Sequence, residues 1–272
     1  MLRQRVLVVL LLLPIGLAVI LAGGWWFALG IALILGLAGF EYGRLFLAAG
    51  QRPSLPLLVG FCCLFALARY AWGFGGAPEL LALVCLLGMA WHLVDFERGA
   101  PNSGSDMALT WGGVLYLGWI GGYFVSLRTL PDGAWWLLLV LPSVWLADSA
   151  AYFVGRRLGR HKLAPRLSPK KTWEGYLAGV AAGSVSGALL AVVWSRWAEN
   201  PLPFSIVNGL IIGTVLAVVT TLGDVGISMI KRQVQVKDSG SLLPGHGGVL
   251  DRIDSWLWAA VLGYYLVLWL AR

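Results

Sequence analysis

Nine stretches of about 20 mainly apolar residues follow one another along this chain, near 6–22, 25–47, 55–74, 78–94, 107–127, 134–154, 173–195, 205–230 and 250–271. A run of that length with almost no charge is what a helix needs to cross the hydrocarbon of a bilayer. There every backbone N–H and C=O must find its partner within the segment. Turn chemistry separates the runs: Gly23-Gly24, Arg52-Pro53-Ser54, Gly75-Gly76-Ala77-Pro78, Pro101-Asn102-Ser103-Gly104 and Pro131-Asp132-Gly133. Charged residues make up 12% of the chain against 59% hydrophobic ones, about half the charge of a soluble domain. The fold class implied is an all-α polytopic membrane protein of about nine transmembrane helices, with no room for a separate soluble domain. Its expected organisation is a set of N-terminal transmembrane helices, 1–130, and a C-terminal catalytic half, 131–272, with cytoplasmic loops.

Arg3-Gln4-Arg5 ahead of the first run resembles the start of a secretory signal. Pro14 and the lack of a small-x-small cleavage site argue instead for an uncleaved first helix. Cys62, Cys63 and Cys85 lie inside apolar runs, without metal or disulfide spacing, and read as small core residues.

Positive charge chooses the orientation. With the N-terminus in the cytoplasm, all of the 20 Lys and Arg except Arg69, Arg128, Arg196 and Arg272 fall on the cytoplasmic side. Loops 155–172 and 231–250 then share that face and the C-terminus lies outside. The expected location is the cell inner membrane, multi-pass, with the active site facing the cytoplasm. The net charge of +7 speaks for topology and anionic membrane lipid, and against nucleic acid as a partner. No internal repeat is visible, which weakens an inverted-repeat transporter.

Against this apolar background the polar residues gather in a few places. Asp251 and Asp254 are three apart and share a helix face; Asp224 closes the preceding run, with Ser228 one turn on. Three carboxylates at helix ends suit Mg²⁺, which takes oxygen ligands and keeps positions open for phosphate. The alternative for them is ion pairing with Arg252, Lys231 and Arg232 at the membrane edge. Pro244-Gly245-His246-Gly247-Gly248 can turn its N–H groups toward an anion, or be a plain turn. Ser168-Pro169-Lys170-Lys171-Thr172 precedes a helix, with Ser168 and Pro169 suiting its cap and first position; it would attract phosphate, or touch anionic lipid. Asp148, inside an apolar helix, reads as functional. Glu41, in Glu41-Tyr42-Gly43-Arg44, reads as a helix-end marker. His92 and His161 read as structural.

The run Ser228-x-Ile230-Lys231-Arg232-x4-Lys237-Asp238-x-Gly240-x2-Leu243-Pro244-x-His246-Gly247-Gly248-Val249-x-Asp251-Arg252-Ile253-Asp254 is similar to the full signature of the phosphatidate cytidylyltransferase, or CDP-diacylglycerol synthase, family. Asp148-Ser149-Ala150-Ala151-Tyr152-Phe153 and Ser168-Pro-Lys-Lys-Thr172-x-Glu174-Gly175 also resemble family motifs, with Ser149 where Thr is common. The specific motifs cover roughly the last half of the chain.

The resemblance implies that CTP and phosphatidic acid give CDP-diacylglycerol and pyrophosphate, with Mg²⁺ and a second, monovalent ion such as K⁺. It implies metal ligands at Asp224, Asp251 and Asp254, and phosphate holders at Lys231, Arg232, Lys237 and His246. Asp238 and Arg252 join the catalytic set. Ser168, Lys170, Lys171 and Thr172 would hold nucleotide or lipid phosphate, with Asp148, Gly247 and Gly248 beside the nucleotide. Membrane lipid is the surrounding partner, and a homodimer is compatible with the sequence. The rivals are a CTP-dependent polyprenol kinase, disfavoured by the complete signature, and a transporter, disfavoured because the charges gather at one face. The Asp-Gly-x2-Ala-Arg run of CDP-alcohol phosphotransferases is absent.

Overall fold

The computed structural model describes residues 2–242 and 247–271, without the side chains of residues 2–9 and 11. Its elements are α1 (Leu2–Ala22), α2 (Gly24–Ala48), α3 (Leu55–Trp72), α4 (Ala77–Glu97), α5 (Ser103–Arg128), α6 (Gly133–Leu158), β1 (Lys162–Ala164), β2 (Ser168–Thr172), α7 (Trp173–Trp194), α8 (Ile206–Gln233) and α9 (Leu250–Leu270). Among the described residues, α2 to α9 are long and apolar enough to cross a membrane; the apolar part of α1, Leu12–Ala22, is shorter. The all-α membrane fold expected from the apolar runs is the fold observed. The helices divide into two compact units, Met1–Thr129 with Lys231–Ile253, and Leu130–Ile230 with Asp254–Arg272.

The first unit has a dry core of Leu35, Leu58, Cys62, Phe65, Val114 and Leu117, all almost fully buried. In lipid such a seam is held by packing rather than by a hydrophobic driving force. Cys62 is the small core residue expected and Cys63 is half-buried, donating to Ala32 O at 3.3 Å. Cys85 departs from expectation: it is exposed, because α4 turns much of its surface outward. The charge of Arg69 in α3 is housed by aromatic faces. Its guanidinium stacks over Phe74, Trp119 and Tyr123 at 3.8, 4.6 and 4.9 Å and donates to Ser126 at 3.1 Å. Arg128 closes α5 and donates to the end carbonyls of α1, Ile20 O at 2.6 Å and Leu21 O at 3.1 Å. His92 is structural, as expected, held by Thr110 Oγ1 at 2.9 Å.

Two expectations fail in the fold. Glu41 does not mark a helix end; it stands inside α2 and is 3% exposed. Ser168 does not cap α7. Residues Ser168–Thr172 are a strand paired antiparallel with β1, Ala164 opposite Ser168 and Lys162 opposite Thr172. The cap is Thr172, extended at φ −130° and ψ 155°, whose hydroxyl accepts from Gly175 N at 3.2 Å. Ser-Pro carries the cap signal, but the ladder with β1 takes those residues first.

In the second unit α7 and α8 cross at small residues. A Cβ on Gly187 would stand 2.8 Å from Gly213 Cα, so only glycine permits that approach. Trp136 stacks on Phe204 at 3.8 Å. Helix α8 tightens at Thr220, where Gly223 N donates to Thr220 O at 2.9 Å, and then continues to Gln233 with the polar sequence of its last turns.

Candidate active site

Helix α8 carries both halves of the polar chemistry, Asp224 and Ser228 in the second unit, Lys231 and Arg232 in the first. In the first unit Lys231 Nζ meets Asp251 Oδ1 at 2.6 Å, with the two side chains 12% and 7% exposed. The other oxygen, Oδ2, accepts from Ser239 N at 2.8 Å, Ser239 Oγ at 3.0 Å and Gly248 N at 3.2 Å. Burying a charged pair is costly unless its remaining lone pairs are filled, and here they are. Asp251 can sit at the start of α9 because its carboxylate gathers these amides. The Gly248 N–H thus faces an anion, and the anion is Asp251. Gly247 supplies the turn with φ at +82°.

Glu41 Oε2 joins the same cluster, accepting from Ser239 Oγ at 3.0 Å and Leu250 N at 2.9 Å. Arg232 is exposed and donates to Val236 O at 3.2 Å, closing the end of α8. Lys237, Asp238 and Arg252 are exposed. His246, with Leu243, Pro244 and Gly245, lies outside the described residues.

In the second unit Lys171 Nζ meets Asp224 Oδ2 at 2.7 Å, with side chains 24% and 35% exposed. Ser228 Oγ donates to Asp224 Oδ1 at 3.3 Å. Asp148, on α6, is exposed. Strand alternation sorts the two lysines: Lys171 is half-buried against Asp224, while Lys170 is exposed. Ser168 is half-buried and Thr172 is buried, its hydroxyl spent on the cap. Glu174 clasps the hairpin's entry, accepting from Arg160 N at 3.1 Å, His161 N at 3.2 Å and His161 Nδ1 at 2.6 Å. Asp254 is 8% exposed, and its Oδ1 accepts from Ser255 N at 2.6 Å.

Ion pairing, the alternative for these carboxylates, is therefore present: Asp251 pairs with Lys231, one of the cations expected, and Asp224 with Lys171, which was not among them. Among the described residues no three His, Cys, Asp or Glu form a cluster of metal-binding size. Three residues of the clusters are not among the site residues expected from the sequence: Glu41, read there as a helix-end marker, Glu174, which stands in a family-like motif without a role, and Ser239. The rarity of a carboxylate inside an apolar run was a usable signal for Glu41; Ser239 offered none.

Paired carboxylates and lysines near the ends of apolar helices, with a basic hairpin leading into one of them, mark a multi-pass membrane protein whose polar chemistry is gathered in two clusters. The chain belongs to the cytidylyltransferase family, whose model matches residues 3–270. It is 35% identical to the phosphatidate cytidylyltransferase of Pseudomonas aeruginosa, over 100% of this chain and 98% of that one. It is 32% identical to the Bacillus subtilis enzyme of the same name, over 97% of each chain. With the Haemophilus influenzae phosphatidate cytidylyltransferase it shares 47% identity over 47% of this chain and 44% of that one.

Proposed function

We propose that this protein transfers the cytidylyl group of CTP to phosphatidic acid, giving CDP-diacylglycerol and pyrophosphate. The observation that carries the reading is the end-to-end match to relatives named for that reaction, at 35% and 32% identity. The same matches do not favour a polyprenol kinase or a transporter.

The chemistry suits the residues. The lipid phosphate is an anion at neutral pH and needs little help from a base. Its oxygen attacks the α-phosphorus of CTP, a new P–O bond forms, and the bond from the α-phosphorus to the bridging oxygen breaks to release pyrophosphate. The difficulty is electrostatic, because two polyanions must meet and charge must be held on the leaving group. Lys171, with Lys170 beside it on β2, and Lys231, Arg232, Lys237 and His246 are the cations proposed for that work. A phosphate would compete with Asp224 for Lys171 more readily than with Asp251 for Lys231, because the first pair is partly exposed and the second almost buried.

Mg²⁺ is the proposed cofactor, with K⁺ as a second ion, and Asp224, Asp251 and Asp254 as the carboxylates that serve them. Mg²⁺ commonly takes one or two carboxylates and completes its shell with water and substrate phosphates, so it needs no cage of three protein ligands; to bind it, Asp224 would have to exchange Lys171, and Asp251 would have to exchange Lys231, for the ion. When bound, it would neutralise the nucleotide's phosphates. The proposed setting is the inner membrane, with the hairpin and the glycine turn on the cytoplasmic face.

The test is purified protein with α-labelled CTP and phosphatidic acid, with and without Mg²⁺. Labelled CDP-diacylglycerol and pyrophosphate, formed only with Mg²⁺, are expected. CDP released with phosphorylation of a polyprenol would overturn the reading. For topology, Arg160→Cys in a cysteine-free background should resist an impermeant thiol reagent on intact cells; ready labelling from outside would reverse the orientation.

A further inference from the structure

Glu41 spends its carboxylate on groups 198 and 209 residues away, Ser239 Oγ and Leu250 N. These bracket the stretch that holds the glycine turn. Asp251 Oδ2 binds Ser239 through both its amide and its hydroxyl, and binds the Gly248 amide as well. Of the groups that orient Asp251 from this stretch, the Ser239 hydroxyl is held by Glu41 directly, and Gly248 lies two residues from the Leu250 amide that Glu41 also holds. The Ser239 hydroxyl has one proton to give and two carboxylate oxygens at 3.0 Å, so it couples the pair.

The glycines are shaped to the same carboxylate. A Cβ on Gly240 would stand 2.5 Å from Glu41 Oε1 and 2.8 Å from its Cδ. One on Gly248 would collide with Glu41 Oε2 and Ser239 Oγ. Neither glycine has a positive φ, so space, not backbone conformation, is what glycine supplies there. Glu41 Oε1 is buried without a hydrogen-bond partner among the described residues. Such an atom inside an apolar helix is costly, and an apolar side chain would fill the space more cheaply.

We infer that Glu41 is a positioning residue for the transfer reaction: through Ser239 and the Leu250 amide it orients Asp251, and Gly240 and Gly248 are glycine to admit it. This rests on the proposed cytidylyl transfer. Groups that orient a working ligand typically matter by about 10–100-fold.

The experiment measures kcat and KM for CTP with the full chain in detergent, for Glu41→Ala, Glu41→Gln, Gly240→Ala and the double variant Glu41→Ala/Gly240→Ala. Glu41→Ala should lower kcat by about 30-fold with KM for CTP changed less than about threefold. Glu41→Gln keeps an acceptor oxygen and should recover most of that loss. Gly240→Ala alone should cost about tenfold, yet add almost nothing once the Glu41 carboxyl is gone, a non-additivity that marks direct contact. Wild-type kcat in Glu41→Ala, no recovery in a folded Glu41→Gln, or fully additive losses would overturn the inference. Should Glu41→Ala fail to fold, the Gln variant and Gly240→Ala decide alone. Amide exchange at Ser239 and Leu250 reads the clasp without any activity: faster exchange in the Glu41 variants is expected, and unchanged exchange overturns it. Wild-type protein that makes no CDP-diacylglycerol would instead defeat the reading of the reaction and leave the exchange result to judge the clasp.

Discussion

The two lysine–aspartate pairs are alike in distance, 2.6 Å for Lys231–Asp251 and 2.7 Å for Lys171–Asp224, and unlike in everything around them. The first is almost buried, at 12% and 7% exposure, and Asp251 accepts three further hydrogen bonds. The second is 24% and 35% exposed, with one hydroxyl in support. A buried pair that is broken leaves a stranded charge, while an open pair exchanges with water at little cost. The first is therefore built to hold structure, and the second is the pair that can be broken at smaller cost.

The largest effect should come from breaking the buried pair. Asp251→Asn leaves Lys231 without its carboxylate and should cost about 3–5 kcal/mol in stability, measured by thermal or denaturant unfolding in detergent. Turnover should be almost abolished. The sharper version adds Lys231→Met: the double variant removes both charges and should regain most of the stability while staying inactive. Equal stability of the single and double variants would show that the pair is not the structural element its burial implies.

Breaking the open pair should separate activity from stability. Asp224→Asn should change stability by less than about 1 kcal/mol, because an exposed pair contributes little. Its activity should still fall, by up to about 100-fold, because a carboxylate proposed to serve the cation and to hold Lys171 is lost. Lys171→Met should raise KM for CTP or for phosphatidic acid more than it lowers kcat, at unchanged stability. Loss of fold in either variant would erase the contrast between the pairs.

What was legible in the sequence follows the range of the forces involved. Membrane helices are written locally, as apolar runs between Gly, Pro and Asn turns, and each of the nine expected runs corresponds to one helix. A carboxylate in an apolar run is costly wherever its partners lie, and that rule singles out Asp148 from local sequence alone. The same rule pointed at Glu41, but Tyr42-Gly43-Arg44 beside it gave a local pattern of a helix end, and its partners stand 198 and 209 residues away. Lys171 could not be matched to Asp224, nor Lys231 to Asp251, from spacing, because a lysine among several carboxylates has no sequence signal of choice. The hairpin was hidden by Ser168-Pro169, which fits a helix start as well as a strand.

The smallest effect should fall on the element that aims the open pair. Thr172 caps α7 through Gly175 N at 3.2 Å and is the residue after Lys171 on β2. Thr172→Ala removes the cap oxygen and should cost about 1 kcal/mol, whereas Thr172→Ser keeps the oxygen and should cost less than half of that. The methyl group matters too, since a Cβ on Gly159 would stand 2.6 Å from Thr172 Cγ2, so the two segments are in tight contact there. If the strand exists to hold Lys171 toward Asp224, Thr172→Ala should also raise the KM that Lys171→Met raises, by up to about fivefold, on the scale of a 1 kcal/mol loosening. Thr172→Ser should leave that KM unchanged. A Thr172→Ala variant with reduced stability and wild-type KM would separate the cap from the site, and would mean that Asp224 alone fixes the position of Lys171.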